Sequence, residues 1–194
     1  MALPPHQHVK RHESISFDDI MPLFDYHPWD DGQNPRIDNI THTLLNIKNS
    51  SADRRRPAVK FFNKVLVNPP GGISRLATGD PRIYAIVPSH SRGCVSPGLI
   101  ELVTSVSPQF GFANDENVLF RHTTVPKAAT GGPRGIHVHL SSIEVTHDIE
   151  GYTVYLFDDV TSTGSSLRAC KQLLLEAGAA RVAMIALGQT YMEH

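Results

Sequence analysis

The apolar positions of the chain fall into two rhythms. In the first half, Ile37, Ile40, Leu44, Leu45 and Ile47 recur at helical spacing, with one face apolar. Asn34 or Asp38 is placed to cap that helix. A second helix is predicted over 58–67, stopped by Pro69-Pro70-Gly71-Gly72. The polar stretch 49–57 between them, carrying Arg54-Arg55-Arg56, reads as a loop. In the second half the apolar positions form short continuous runs. Ile83-Tyr84-Ala85-Ile86-Val87, Val118-Leu119-Phe120, Val154-Tyr155-Leu156-Phe157 and the run 182–187 each read as a buried strand. Helices are predicted over 97–106, with Ser96 as cap, and over 165–177, with Leu167, Leu173, Leu174 and Ala177 inward and Gly178 as terminator. Strand, helix and strand joined by short links predict a right-handed parallel crossover. The expected fold is therefore α/β, with a mainly parallel central sheet flanked by helices and an N-terminal helical segment as a hood.

Residues 1–16 are polar, with Pro4, Pro5 and three histidines, and are expected to form a loose tail. Residues 17–29 mix acids with Phe24, Tyr26 and Trp29, which predicts an ordered surface segment. Residues 122–135 are rich in Thr, Gly and Pro without an apolar period. A long loop of that kind in a compact domain is usually functional. The chain is thus expected to divide into a tail (1–16), a hood-like segment (17–80) and a core (81–194).

Composition narrows the function classes. The 194 residues carry a formal charge of −1, which argues against a chain whose main task is to coat nucleic acid or an anionic membrane. Two distant cysteines, Cys94 and Cys170, form no C-x-x-C pair and suit a reducing cytoplasm better than a disulfide scaffold. No secretory signal and no membrane-spanning apolar run is visible. The expectation is a soluble cytoplasmic protein.

The strongest chemical signal is Asp158-Asp159-Val160-Thr161-Ser162-Thr163-Gly164-Ser165-Ser166, between a buried strand and a helix. Two consecutive carboxylates are too costly to bury unpartnered, so they are expected at the carboxyl end of the strand, where parallel sheets keep their ligand crevices. The start of the next helix offers free N–H groups and partial positive charge. Hydroxyls at Thr161, Ser162, Thr163, Ser165 and Ser166 add donors, and Gly164 lets a ligand approach the backbone. Such a cup fits a phosphate. The neighbouring acids suit vicinal sugar hydroxyls, and phosphate plus diol describes ribose 5-phosphate.

This stretch resembles the binding motif for 5-phosphoribosyl-1-pyrophosphate (PRPP) of the type I phosphoribosyltransferases. The resemblance implies that Asp158 and Asp159 hold the ribose hydroxyls and that Val160, Thr161, Ser162, Thr163, Gly164 and Ser165 hold the 5-phosphate. It implies a pyrophosphate loop at Ser89-His90-Ser91-Arg92, assisted by Arg121. It also implies a closing loop whose Lys127, flanked by Arg121 and Arg134, neutralises the leaving pyrophosphate. Magnesium would enter on PRPP's own oxygens, near Asp158 and Asp159, without a dedicated protein cage. Serine at 162 departs from hypoxanthine- and guanine-salvage members, which carry aspartate there. Within the family the arrangement is most similar to the ComF-like competence branch. The features are Val87-Pro88, the order Arg121, Lys127, Arg134, the 158–164 motif and Glu176-Ala177-Gly178-Ala179, with Tyr26, Leu44, Leu45 and Lys48 as an opening segment. The cysteine-based zinc module of many such members is missing, and the first loop is not of their Pro-Val-Pro type. The resemblance covers 81–190 well and 17–80 weakly. It implies transfer of ribose 5-phosphate to or from a nitrogenous base, with pyrophosphate as co-product, and pairing into a homodimer. The alternative is a non-catalytic PRPP- or nucleotide-binding module, regulatory or associated with DNA uptake.

Weaker signals remain. His137 and His139, two apart, would share one strand face and form half of a metal site, but no third ligand is evident. Arg54-Arg55-Arg56 is a solvated loop by default rather than a nucleic-acid contact, and no base partner makes Cys94 a nucleophile.

Overall fold

The computed structural model describes residues 9–28, 33–68, 73, 81–126 and 135–191. Four strands, β1 (Ile20–Tyr26), β2 (Arg82–Ile86), β5 (Thr153–Thr161) and β6 (Arg181–Thr190), form an all-parallel sheet in the order β1-β6-β5-β2. Two short strands, β3 (Leu119–Arg121) and β4 (Ile143–Val145), pair antiparallel beside it. The helices are α1 (Asn39–Ile47), α2 (Ala52–Val67), α3 (Pro97–Phe110), α4 (Ile136–Leu140) and α5 (Ser165–Glu176). The mainly parallel sheet flanked by helices is the architecture expected from the apolar runs. Among the described residues no helix is long and apolar enough to cross a membrane.

Strand alternation sends successive residues to opposite faces, and two apolar clusters result. Tyr84, Ile86, Tyr155, Phe157, Ala183, Ile185 and Leu187 pack under α1, α2 and α3. Ile83, Ala85, Val154, Leu156, Val182 and Met184 pack with Leu167, Cys170 and Leu174 of α5 and with Leu119 and Ile143. Both faces are covered, as continuous apolar strands require. Asp38 caps α1 by accepting the Thr41 N–H at 2.7 Å. At Gly98 the backbone of α3 meets the Ile47 carbonyl so closely that a Cβ would collide with it. The close approach fixes the end of α1 against α3.

Five expectations are corrected. Residues 17–29 are not merely a surface segment, since Ile20–Tyr26 is an edge strand of the main sheet, where Pro22 is tolerated. Residues 9–16, expected within a loose tail, lie along that strand. Lys10 N–H bonds the Leu23 carbonyl, Lys10 pairs with Asp25, and Val9 and Ile15 reach the core. The 49–57 loop is shorter than expected, because α2 starts at Ala52 and places Arg54-Arg55-Arg56 on a helix. Arg55 is buried there, bonding the Asn49 and Ser50 carbonyls and pairing with Glu101 on α3. His137 and His139 lie on α4 rather than on a strand, and no three His, Cys, Asp or Glu converge as a metal site among the described residues. Ala177 is exposed rather than inward.

Candidate functional site

The acid pair sits inside β5, not at its end, because the strand runs on to Thr161. Strand β2 stops at Ile86, opposite Phe157, so Asp158 and Asp159 project past it along β6, at the carboxyl edge of the sheet. Their positions in a strand send them to opposite faces, and their partners agree. Asp158 faces α5: its Oδ2 accepts from Ser166 Oγ at 3.4 Å, and its Oδ1 accepts the Asp159 N–H at 2.9 Å. Asp159 faces α1: its Oδ1 accepts the Val160 N–H at 2.6 Å and pairs with Lys48 Nζ at 2.9 Å. Both acids are buried, at 9% and 8% exposure, with the partners that buried carboxyl groups require.

Burial, and after it the charge of Asp159, push the Asp158 carboxyl up to about 8, against the pull of Lys48, the Asp159 N–H and Ser166. Burial also pushes the thiol of Cys170, fully buried on α5, well above its usual range, with Asp158 adding to the effect. Lys48 is half-exposed. Burial of its ammonium works against the charge, but Asp159 and then Asp158 outweigh it and hold the pKa above the ordinary lysine value.

Beyond the acids the chain turns at Gly164, which has φ +75° and forms the N-cap of α5. A Cβ there would strike Ile20 Cδ1 and come within 2.6 Å of Arg168 Nη1, both side-chain ends that would have to shift, so it is chiefly the positive φ that calls for glycine. Gly164 brings no capping side chain; the Ser165 N–H reaches Thr163 Oγ1 at 3.4 Å, and the amides that follow it in the first turn have no side-chain acceptor among the described residues. Around them the hydroxyls are exposed and bonded to one another. Ser162 Oγ lies 2.8 Å from Thr190 Oγ1 at the end of β6, and Thr163 Oγ1 lies 2.9 Å from Ser165 Oγ. Thr161 is buried and Val160 packs against the core.

The turn expected to bind pyrophosphate is closed on itself. Ser89 N–H bonds the Cys94 carbonyl, Cys94 N–H bonds the Ser91 carbonyl, Gly93 N–H bonds the Arg121 carbonyl, and Arg92 N–H bonds Thr124 Oγ1. Ser91 Oγ lies 3.1 Å from His90 Nε2, and the Arg92 side chain is exposed.

Arg121 is not a ligand-facing cation. It is 1% exposed. Its Nε donates to the Ser89 carbonyl at 2.6 Å, and its other nitrogens contact Ser142 Oγ, the Pro88 carbonyl and His139 Nδ1. The expectation of a pyrophosphate contact fails because β3 directs the side chain inward. Burial lowers its pKa, and burial, then Arg121, lower that of His139. Lys127 and Arg134 lie outside the described residues.

Sequence reasoning does not single out Lys48 as a contact of the acids. Its signal is slight, a lysine just after the apolar stripe of α1, and nothing in the spacing points across 111 positions to Asp159.

A cavity of about 520 Å³ opens at the carboxyl ends of β1 and β6, lined by Asp25, His27, Arg36, Asp38, Asn39 and Tyr191. The acids do not line it. It adjoins their loop through neighbouring residues, since Thr190 bonds Ser162 and Tyr191 forms its wall. Arg36 stacks on the Tyr191 ring at 5.3 Å.

Comparison of the sequence with family profiles and with curated proteins finds no match. Among solved structures, the chain is similar to phosphoribosylpyrophosphate synthetase from Mycobacterium smegmatis, at 19% identity and a TM-score of 0.36. That alignment covers 67% of this chain and 33% of the synthetase. It is similar also to a hypoxanthine phosphoribosyltransferase from Staphylococcus aureus, at 11% identity and a TM-score of 0.38, covering 80% of this chain and 77% of that one. Purine phosphoribosyltransferase from Pyrococcus horikoshii Ot3 is similar at 14% identity and a TM-score of 0.39, covering 72% of this chain and 85% of that one.

Proposed function

We propose that the chain binds PRPP and acts as a phosphoribosyltransferase of type I, nearest the ComF-like branch. The observation that carries this reading is one run of β5, loop and α5. It places two acids at the carboxyl edge of a parallel sheet, followed by exposed hydroxyls and an uncapped helix start. In this reading the amides and hydroxyls of 161–165 hold the 5-phosphate, and Asp158 and Asp159 accept bonds from the ribose hydroxyls. Transfer breaks the bond from C1 to the pyrophosphate oxygen and forms one from C1 to an acceptor nitrogen. The cations assigned to the leaving pyrophosphate are Arg92 and Lys127, with Ser89, His90 and Ser91 beside them, and Arg121 acts only by holding the turn.

Magnesium fits the donor set as a ligand-borne ion. Asp159 offers a carboxylate oxygen, the donor a hard cation prefers, with Asp158 beside it, and PRPP supplies the rest. Its contribution when bound is to offset pyrophosphate charge. The cavity beside Tyr191, walled by the N-terminal segment, is the space we assign to the nitrogenous acceptor. We also assign the protein to the cytoplasm.

Calorimetry with magnesium and PRPP tests the reading. Wild type is expected to bind at one site per chain, and the Asp158→Asn/Asp159→Asn variant to lose most of that affinity. Equal affinity in both proteins contradicts the assignment. Pyrophosphate release over a panel of bases separates an enzyme from a binding module, since a module binds PRPP without releasing any.

A further inference from the structure

We propose that Lys48 is a positioning residue of this site, orienting Asp159 from the N-terminal segment so that one carboxylate oxygen stays available to the sugar. The inference rests on the sugar-phosphate reading and adds to it a residue from outside the β5–α5 motif.

The two oxygens of Asp159 are used differently. Oδ1 takes both the Val160 N–H, at 2.6 Å, and the Lys48 ammonium, at 2.9 Å. Oδ2 makes no bond among the described residues. Asp158, in contrast, has Oδ1 on the Asp159 N–H and Oδ2 on Ser166. Asp159 is therefore the acid with an oxygen that no protein donor occupies among the described residues, and the ammonium fixes which oxygen that is. A carboxylate locked at one oxygen loses less freedom when the other accepts a hydroxyl.

Lys48 is also held more firmly than a surface lysine at a helix end. It comes directly after Ile47, whose carbonyl is pressed against Gly98 of α3, and its own N–H bonds the Leu45 carbonyl at 3.2 Å. One turn earlier, Leu44 packs over Gly188 of β6, where any Cβ would come within 2.7 Å of Leu44 Cδ1 and 3.3 Å of Tyr26 Cβ. Two glycines thus seat α1 on α3 and on the sheet, and the seat aims Lys48 at the carboxyl edge. Its charge has a second effect. The Asp159 carboxylate repels a polyanionic ligand, and an ammonium on it reduces that repulsion.

A double-mutant cycle on PRPP binding tests the proposal, with magnesium present and affinity read by calorimetry. Lys48→Met is expected to weaken binding about tenfold while melting like wild type, since the side chain is half-exposed. Lys48→Arg is expected to restore most of the loss. In an Asp159→Asn background, Lys48→Met is expected to add little, because the residue acts through Asp159. Unchanged affinity in Lys48→Met overturns the proposal. So does tighter binding, which would make Lys48 a competitor of the ligand, and so does full additivity with Asp159→Asn. If wild type itself binds no PRPP, the sugar-phosphate reading falls first and takes this inference with it.

Discussion

The turn at 88–94 and the loop at 158–166 both extend from a parallel strand at the same edge of the sheet, and both combine small hydroxyl residues with one glycine. They differ in what their polar groups do. In the first, four amides are bonded within the protein, and buried Arg121 ties the Pro88 and Ser89 carbonyls down. In the second, the chain runs straight into α5, and its hydroxyls bond one another, Thr190, the Ser165 N–H and Asp158. Composition makes the two loops look alike, and the difference comes from the path the backbone takes next. A loop that returns on itself satisfies its own donors. A loop that opens a helix cannot, because the first turn has no preceding carbonyls to bond.

The largest effect that would sharpen this contrast is at Arg121. Arg121→Met strands two carbonyls and a hydroxyl that the guanidinium now satisfies, and is expected to cost about 3 kcal/mol in urea denaturation. Arg92→Ala, on the exposed side of the same turn, is expected to stay within about 0.5 kcal/mol. Equal, small effects at both positions would mean that the turn is not locked from within.

On the other side of the comparison, the buried Asp158 makes stability depend on pH. Its carboxyl titrates near 8 in the folded chain, against 3.8 for an ordinary aspartate. The folded protein therefore keeps a proton that the unfolded chain releases. Its stability contribution is complete below pH 4, declines through the interval, and is lost as pH passes 8. Asp158→Asn removes this slope. Its stability relative to wild type is expected to improve by on the order of 2 kcal/mol between pH 6.5 and pH 8.5. Parallel stability profiles for the two proteins would show that the acid is ionised in the fold throughout.

The two glycines give a smaller contrast. Gly164→Ala meets both a positive φ and side chains in the way, and is expected to cost about 2 kcal/mol. Gly93 also has positive φ, at +67°, but a Cβ there finds Phe120 at an ordinary 3.6 Å, so Gly93→Ala is expected to cost about 1 kcal/mol. The smallest stability effect is at Ser162→Ala, an exposed hydroxyl, at under about 0.5 kcal/mol, with weaker sugar-phosphate binding as its main consequence.

Much of the second half is legible in the sequence because β2, β5 and β6 are buried on both faces and therefore read as unbroken apolar runs. The first half is harder. Strand β1 hides behind Pro22 and Asp25, which an edge strand accepts and a central one does not. The start of α2 hides behind three arginines, one of which is internal because it meets Glu101, 46 residues on, and the Asn49 and Ser50 carbonyls. His137 and His139 have a strand-like spacing on what is one short helix turn. At the site, the loop and its glycine are readable from local chemistry. The burial of the acids, the inward aim of Arg121 and the reach of Lys48 are not, since each is set by contacts between distant segments.

In the proposed reading the loop opening α5, not the turn after β2, anchors the phosphate of a sugar phosphate. Titrating labelled protein with ribose 5-phosphate and tracking backbone amide shifts tests it most directly. Saturable shifts are expected at 161–167, with the amides of 89–94 moving only when the titrant is PRPP. Shifts centred on 89–94 with ribose 5-phosphate alone, or none at 161–167 at saturating ligand, would contradict it.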